Sequence, residues 1–126
     1  MKETIKTIMD WHEQTFPEAT KQGQYCKLQE EFTEYTGVVD TKDFSKGLEE
    51  LADIVIVGCG LSRFDVPGAL TAFAFADKEC RWFAKKEKRP DSEYLFMLET
   101  EINKKMETNR QRKWNKGNGE YKHVEE

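Results

Sequence analysis

An all-α bundle of about five helices is the fold that this chain predicts, and three observations carry the prediction. Apolar residues recur at steps of three and four along most of its length. Only 3 Pro and 8 Gly fall among 126 residues, which leaves room for long helices. The one β-branched run, Ile54-Val55-Ile56-Val57, continues a helical period that begins at Phe44, so helix is the better reading there too. The length fits one domain that buries about two-thirds of its unfolded surface, without need of a disulfide or structural metal. An aromatic share of 12% supplies the apolar material to offset the entropy of ordering.

The elements follow in order. Ile5, Ile8, Met9, His12 and Phe16 stripe a first helix that Pro17 ends. Residues 17–24 read as a loop. A second helix is expected from about Tyr25 to Thr36, with Leu28, Phe32 and Tyr35 inward and Gly37 as its stop. Asp40 or Thr41 can cap a third, reaching about Arg63, with Phe44, Leu48, Leu51 and Val55 along one side. After Asp53 that helix is apolar all round, so its second half should be buried on every face. Pro67 fits the first turn of a fourth helix to about Lys88. There Leu70, Phe73, Ala74, Cys80 and Ala84 form one apolar side, with Phe75 and Trp82 well round from it. Two apolar sides predict that one meets a second subunit. A fifth helix spans about Glu93 to Lys113, striped by Leu95, Leu98, Ile102 and Met106. A single domain over 1–114 and a mobile tail over 115–126 complete the expectation.

Composition removes several function classes. Twenty basic and 24 acidic residues leave a net charge of −4, which argues against a nucleic-acid binder. Cys26, Cys59 and Cys80 are odd in number and widely spaced, as buried thiols of a reducing compartment are. The stretch Met1 to Lys6 has no apolar leader core, and the longest uncharged apolar run, Ile54 to Leu61, is too short to span a membrane. A soluble cytoplasmic protein is expected. No P-loop, dinucleotide fingerprint, EF-hand loop or Ser/His/Asp set occurs.

The chemistry lies in the acids. Glu30-Glu31-Phe32-Thr33-Glu34 puts three carboxylates on less than one and a half turns, with Glu31 bordering the Leu28 stripe and Glu34 beside it. Glu49-Glu50-Leu51-Ala52-Asp53 leads into the apolar run, and Glu50 and Asp53 share a sector with Ile54 and Val57. Acids on a buried sector need a partner, or they neutralise or destabilise the fold. Two such helices side by side would bring Glu31, Glu34, Glu50 and Asp53 together as hard oxygen ligands for Mg²⁺ or Mn²⁺. Lys105, Asn109 and Arg112 stand at i, i+4 and i+7 on the fifth helix, where phosphate oxygens would satisfy all three.

Glu30-Glu31-x-x-Glu34, a gap of fifteen residues, then Glu50-x-x-Asp53 resembles the motif of the MazG-like all-α NTP pyrophosphohydrolases. Trp11-His12-x-x-x-Phe16-Pro17, with Lys27-Leu28 before the acids, is similar to that family's N-terminal segment. Lys105-Met106-x-x-Asn109-Arg110-Gln111-Arg112 is similar to its C-terminal segment, especially in the dCTP pyrophosphatase branch. The resemblance covers roughly residues 8 to 63 and 102 to 114. Fifty-one residues separate Asp53 from Lys105, more than compact members have, so 64–101 reads as a lengthened or inserted helical element.

The resemblance implies hydrolysis of a nucleoside triphosphate between the α- and β-phosphates, with Mg²⁺ as cofactor and Mn²⁺ as its alternative. It assigns metal ligation to Glu31, Glu34, Glu50 and Asp53, the four that helix geometry also selects. Lys105, Asn109 and Arg112 would hold phosphate, with Lys105 acting on the triphosphate rather than on the metal. Trp11 and His12 would meet the base, and Glu30 has no assigned role. A homodimer or homotetramer is implied as well. Two rivals are a phosphoribosyl-ATP pyrophosphatase, which the N-terminal Trp and the Lys-Met-x-x-Asn-Arg match fit less well, and a non-catalytic helical interaction protein. The second would be expected to have lost at least one of the four acids.

Overall fold

A computed structural model describes residues 2–39, 44–117 and 120–124, with side chains described through 114. Five helices carry it: α1 Ile5–Thr15, α2 Lys21–Val39, α3 Phe44–Leu61, α4 Val66–Lys86 and α5 Asp91–Gln111. The expected helical bundle is what forms. Among the described residues, no helix is long and apolar enough to cross a membrane.

α3 is the hub, packing against α1, α2, α4 and α5. Its second half is buried on most of its surface and not on every face as expected: Ile54, Cys59 and Leu61 are fully enclosed, while Val55 and Val57 are half-buried against the core. Gly58 has its reason in α4, because a Cβ there would stand 2.9 Å from the Phe73 ring.

The helix ends are set locally. Thr4 and Thr7 exchange side chain–backbone hydrogen bonds in a capping box at the start of α1. Asp65 caps α4 by accepting the Gly68 N–H, with Pro67 in the first turn as expected. That helix ends with Lys88 at φ 58, where the Arg89 N–H returns to the Ala84 carbonyl.

Several boundaries differ from those read in the sequence. α2 begins four residues before Tyr25, because the Thr20 hydroxyl accepts the Gly23 N–H as a cap. It runs through Gly37 to Val39 instead of stopping at the glycine. An interior glycine costs only about 1 kcal/mol relative to alanine, and Tyr35 and Val39 on either side pack on the core. Asp40 and Thr41, the expected caps of α3, lie outside the described residues.

α4 is turned from the expected phase. Its inward residues are Ala69, Ala72, Ala76, Cys80, Phe83 and Ala84, whereas Leu70 is 57% exposed and Ala74 faces out. Small alanines let α4 lie close on Gly58 of α3, where Ala72 is a neighbour, and that fit outweighs the size of Leu70. The 64–101 element is therefore α4 with the first half of α5. C-terminal to α5, strands β1 Lys113–Gly117 and β2 Glu120–Val124 pair antiparallel, with Trp114 opposite His123, where a tail without strands was expected.

Candidate metal and nucleotide site

α2 and α3 pack side by side and present their acids to one another. One carboxylate oxygen from each of Glu31, Glu34, Glu50 and Asp53 lies within 4.8 Å of all the others. Oxygens across an octahedral Mg²⁺ with ligands near 2.1 Å sit about 4.2 Å apart, so only a small contraction would seat such an ion. The charge balance points the same way. Glu31 is 7% exposed, and the Oε2 atoms of Glu31 and Glu50 are buried with no hydrogen-bond partner. Unpartnered buried oxygens are costly, and a hard cation is what this donor set fits.

Crowding shows in the titration of the acids. Burial pushes the Glu31 carboxyl up to about 8, with the charges of Asp53 and Glu34 adding to it. Burial, a hydrogen bond with Glu34 and the charge of Asp53 raise Glu50 to about 7. Burial also raises Asp53, against the opposing pull of Lys105. The Lys105 ammonium stands 3.0 Å from Asp53 Oδ2. Lys105, expected to act on the triphosphate, thus also pairs with one of the four acids. Its position on α5, which packs directly on α3, brings it there.

A cavity of about 480 Å³ opens from these acids. Glu31 and Asp53 line it, and so do Lys105 and Asn109 from α5, Arg112 in extended backbone just past its end, where helix to Lys113 was expected, and Trp11 and His12 from α1. Every candidate site residue thus lies in the cluster or on this wall. Lys27 and Lys104 add cations that the sequence reading left without a role, and Gln24 and Trp114 add to the far end. Lys27 had a legible signal: it stands four residues before Glu31, and its Nζ lies 4.0 Å from Glu31 Oε1 and 3.7 Å from Glu30 Oε2.

The far end is aromatic and satisfied. Trp11, Phe16 and Trp114 meet edge to face, with ring centroids 5.1 to 6.2 Å apart. The Arg63 guanidinium donates to His12 Nδ1 at 2.8 Å and to the Phe16 carbonyl at 2.9 Å. Arginine only donates, so Nδ1 accepts and the imidazole proton sits on Nε2, beside Gln24. Burial and the Arg63 charge push His12 down to about 4, which leaves it neutral at pH 7. Gly60 makes room for this pair: a Cβ there would come 2.6 Å from the imidazole and 3.0 Å from Gln24 Oε1.

Fold and site together define an all-helical bundle with a four-carboxylate cluster beside a cavity lined by charged groups of both signs and by aromatic rings. No protein-family model, curated protein or solved structure matches the chain.

Proposed function

We propose that the protein is a metal-dependent nucleoside triphosphate pyrophosphohydrolase, converting a (deoxy)nucleoside triphosphate and water to the monophosphate and pyrophosphate. The observation that carries this reading is the pair of orphaned carboxylate oxygens on Glu31 and Glu50, inside a four-acid cluster whose Glu31 and Asp53 line a cavity with Lys27, Lys104, Lys105 and Arg112. Acids and cations on one wall suit a ligand that is itself a metal–polyanion complex. The resemblance to MazG-like enzymes supplies the reaction class, and the removal of non-standard or surplus nucleotides fits it.

Glu31, Glu34, Glu50 and Asp53 would hold Mg²⁺ or Mn²⁺, which supplies Lewis acidity to neutralise phosphate charge and lower the pKa of water. Lys105 and Asn109 on α5 and Arg112 just past its end hold phosphate oxygens, so charge that develops toward the leaving pyrophosphate meets preplaced donors. Trp11 and Trp114 border the cavity where a base would enter, while neutral His12 keeps its tautomer through Arg63. A neutral His12 orients and donates rather than shuttling protons at pH 7.

The working unit is a homodimer or homotetramer in this reading. Val66, Leu70, Ala74, Lys78 and Trp82 form an i, i+4 ridge on the outer side of α4, and Leu70 and Trp82 are 57% and 52% exposed. Light scattering at micromolar concentration checks it, and a fully active 14.8 kDa monomer would rule it out.

The decisive assay follows pyrophosphate release from a panel of dNTPs and NTPs with Mg²⁺. Release from at least one nucleotide, lost on chelation, is the expected result. Metal binding with no release from any nucleotide would favour the non-catalytic reading.

A further inference from the structure

Lys105 holds a position that a site made only for phosphate does not need. Of the four clustered acids, Asp53 is the one with an ammonium at hydrogen-bond distance, 3.0 Å from its Oδ2. Glu31 and Glu50 each keep a buried oxygen without a partner, and Lys27 stands no nearer than 4.0 Å to Glu31. One close cation therefore carries most of the compensation for four packed carboxylates. Both members of the pair are only partly covered, with side chains 26% and 28% exposed, and both line the cavity. The flexible four-carbon stem of Lys105 is free to carry its charge from one side of that wall to the other.

We propose that Lys105 is a two-position cation: it rests on Asp53 in the metal-free protein and moves onto phosphate when a metal–triphosphate complex arrives. This rests on the four-carboxylate cluster being a metal centre, and it adds how that centre is kept closed to metal alone. A divalent ion entering among the acids competes with the ammonium for Asp53 and meets its repulsion at short range. A triphosphate entering with the ion offers the ammonium a second anion and draws it off the ligand. Metal and triphosphate then each raise the other's affinity by the same factor, as linkage requires. The site takes its substrate as the metal complex and holds bare metal weakly.

Mn²⁺ binding measured by calorimetry, with and without an α,β-imido deoxynucleoside triphosphate, tests this on wild type, K105M and E31Q. K105M keeps the stem and removes the charge. It should bind Mn²⁺ alone at least fivefold more tightly than wild type, and the gain in Mn²⁺ affinity on adding the analogue should shrink by a similar factor. K105Q provides a second uncharged stem should K105M fail to fold, with the same expectation. An uncharged variant that binds Mn²⁺ alone no more tightly than wild type overturns the two-position role. If E31Q in that same series loses Mn²⁺, the metal centre stands and only the role of Lys105 falls. If E31Q binds Mn²⁺ like wild type, the metal centre falls with it.

Discussion

The two ends of the cavity are built on opposite electrostatic terms. At the aromatic end no buried side-chain polar atom among the described residues lacks a partner: Arg63 donates to His12 and the Phe16 carbonyl, His12 is held neutral, and Trp114 donates its indole N–H to the Asn109 carbonyl. At the α2–α3 end four acids are pressed together, two of their oxygens are orphaned, and one lysine supplies the near counter-charge. Both ends rest on α3, so the difference does not come from a loosely packed region. It teaches where to look for binding: the fold tolerates unresolved charge at one end and removes it at the other, and unresolved charge is what a ligand can resolve.

The largest effect should come from removing a ligand at the unresolved end. Glu31→Gln or Asp53→Asn should lower pyrophosphate release at least a thousandfold, about 4 kcal/mol of transition-state stabilisation. The metal-free Glu31→Gln protein should melt no lower than wild type, because the change removes a buried, repelled charge. Near-normal activity in either variant would misplace the site. Next, Lys105→Ala should lower kcat/KM by an amount worth roughly 2–4 kcal/mol, as loss of one preplaced charge donor does. A smaller effect belongs to the resolved end. Gly60→Ala pushes a methyl against the His12 ring and should cost about 1–3 kcal/mol of stability by denaturant titration. A Gly60→Ala protein as stable as wild type would mean that the His12–Gln24 packing is looser than the geometry implies.

The smallest effect is a pH slope, and the two ends separate by window. His12 lies below its ordinary 6.5 in the folded protein, so its contribution is lost as pH falls from 6.5 toward 4. Glu31 lies above its ordinary 4.5, at about 8, so the native state binds more protons than the unfolded one between those values. Stability of the metal-free protein therefore falls as pH rises, and between 6.5 and 8 the acids act without His12. Chemical denaturation across that range should show the decline in wild type and a shallower one in Glu31→Gln. An equal slope in both would detach the effect from the cluster.

Much of this was legible in the sequence, for a physical reason in each case. The acids could be read because each helix carries its pair at i, i+3 on a sector that the apolar residues already mark as inward. Lys105 and Asn109 could be read because they lie one turn apart on an apolar edge. The ion pair of Lys105 with Asp53 could not, since it depends on how α5 crosses α3. The phase of α4 was hidden because packing against Gly58 favours alanine where size alone favours leucine. His12 was legible as a residue and not as a state, because its neutrality comes from burial and then from Arg63, fifty-one positions away in the chain.

The claim that the crowded acids are a metal centre is tested most directly by a crystal grown with saturating Mn²⁺ and measured at an X-ray energy where manganese scatters anomalously. A strong anomalous peak enclosed by Glu31, Glu34, Glu50 and Asp53 is the expected result. Density without such a peak among those four side chains, at a concentration that occupies other acidic sites on the protein, would contradict it.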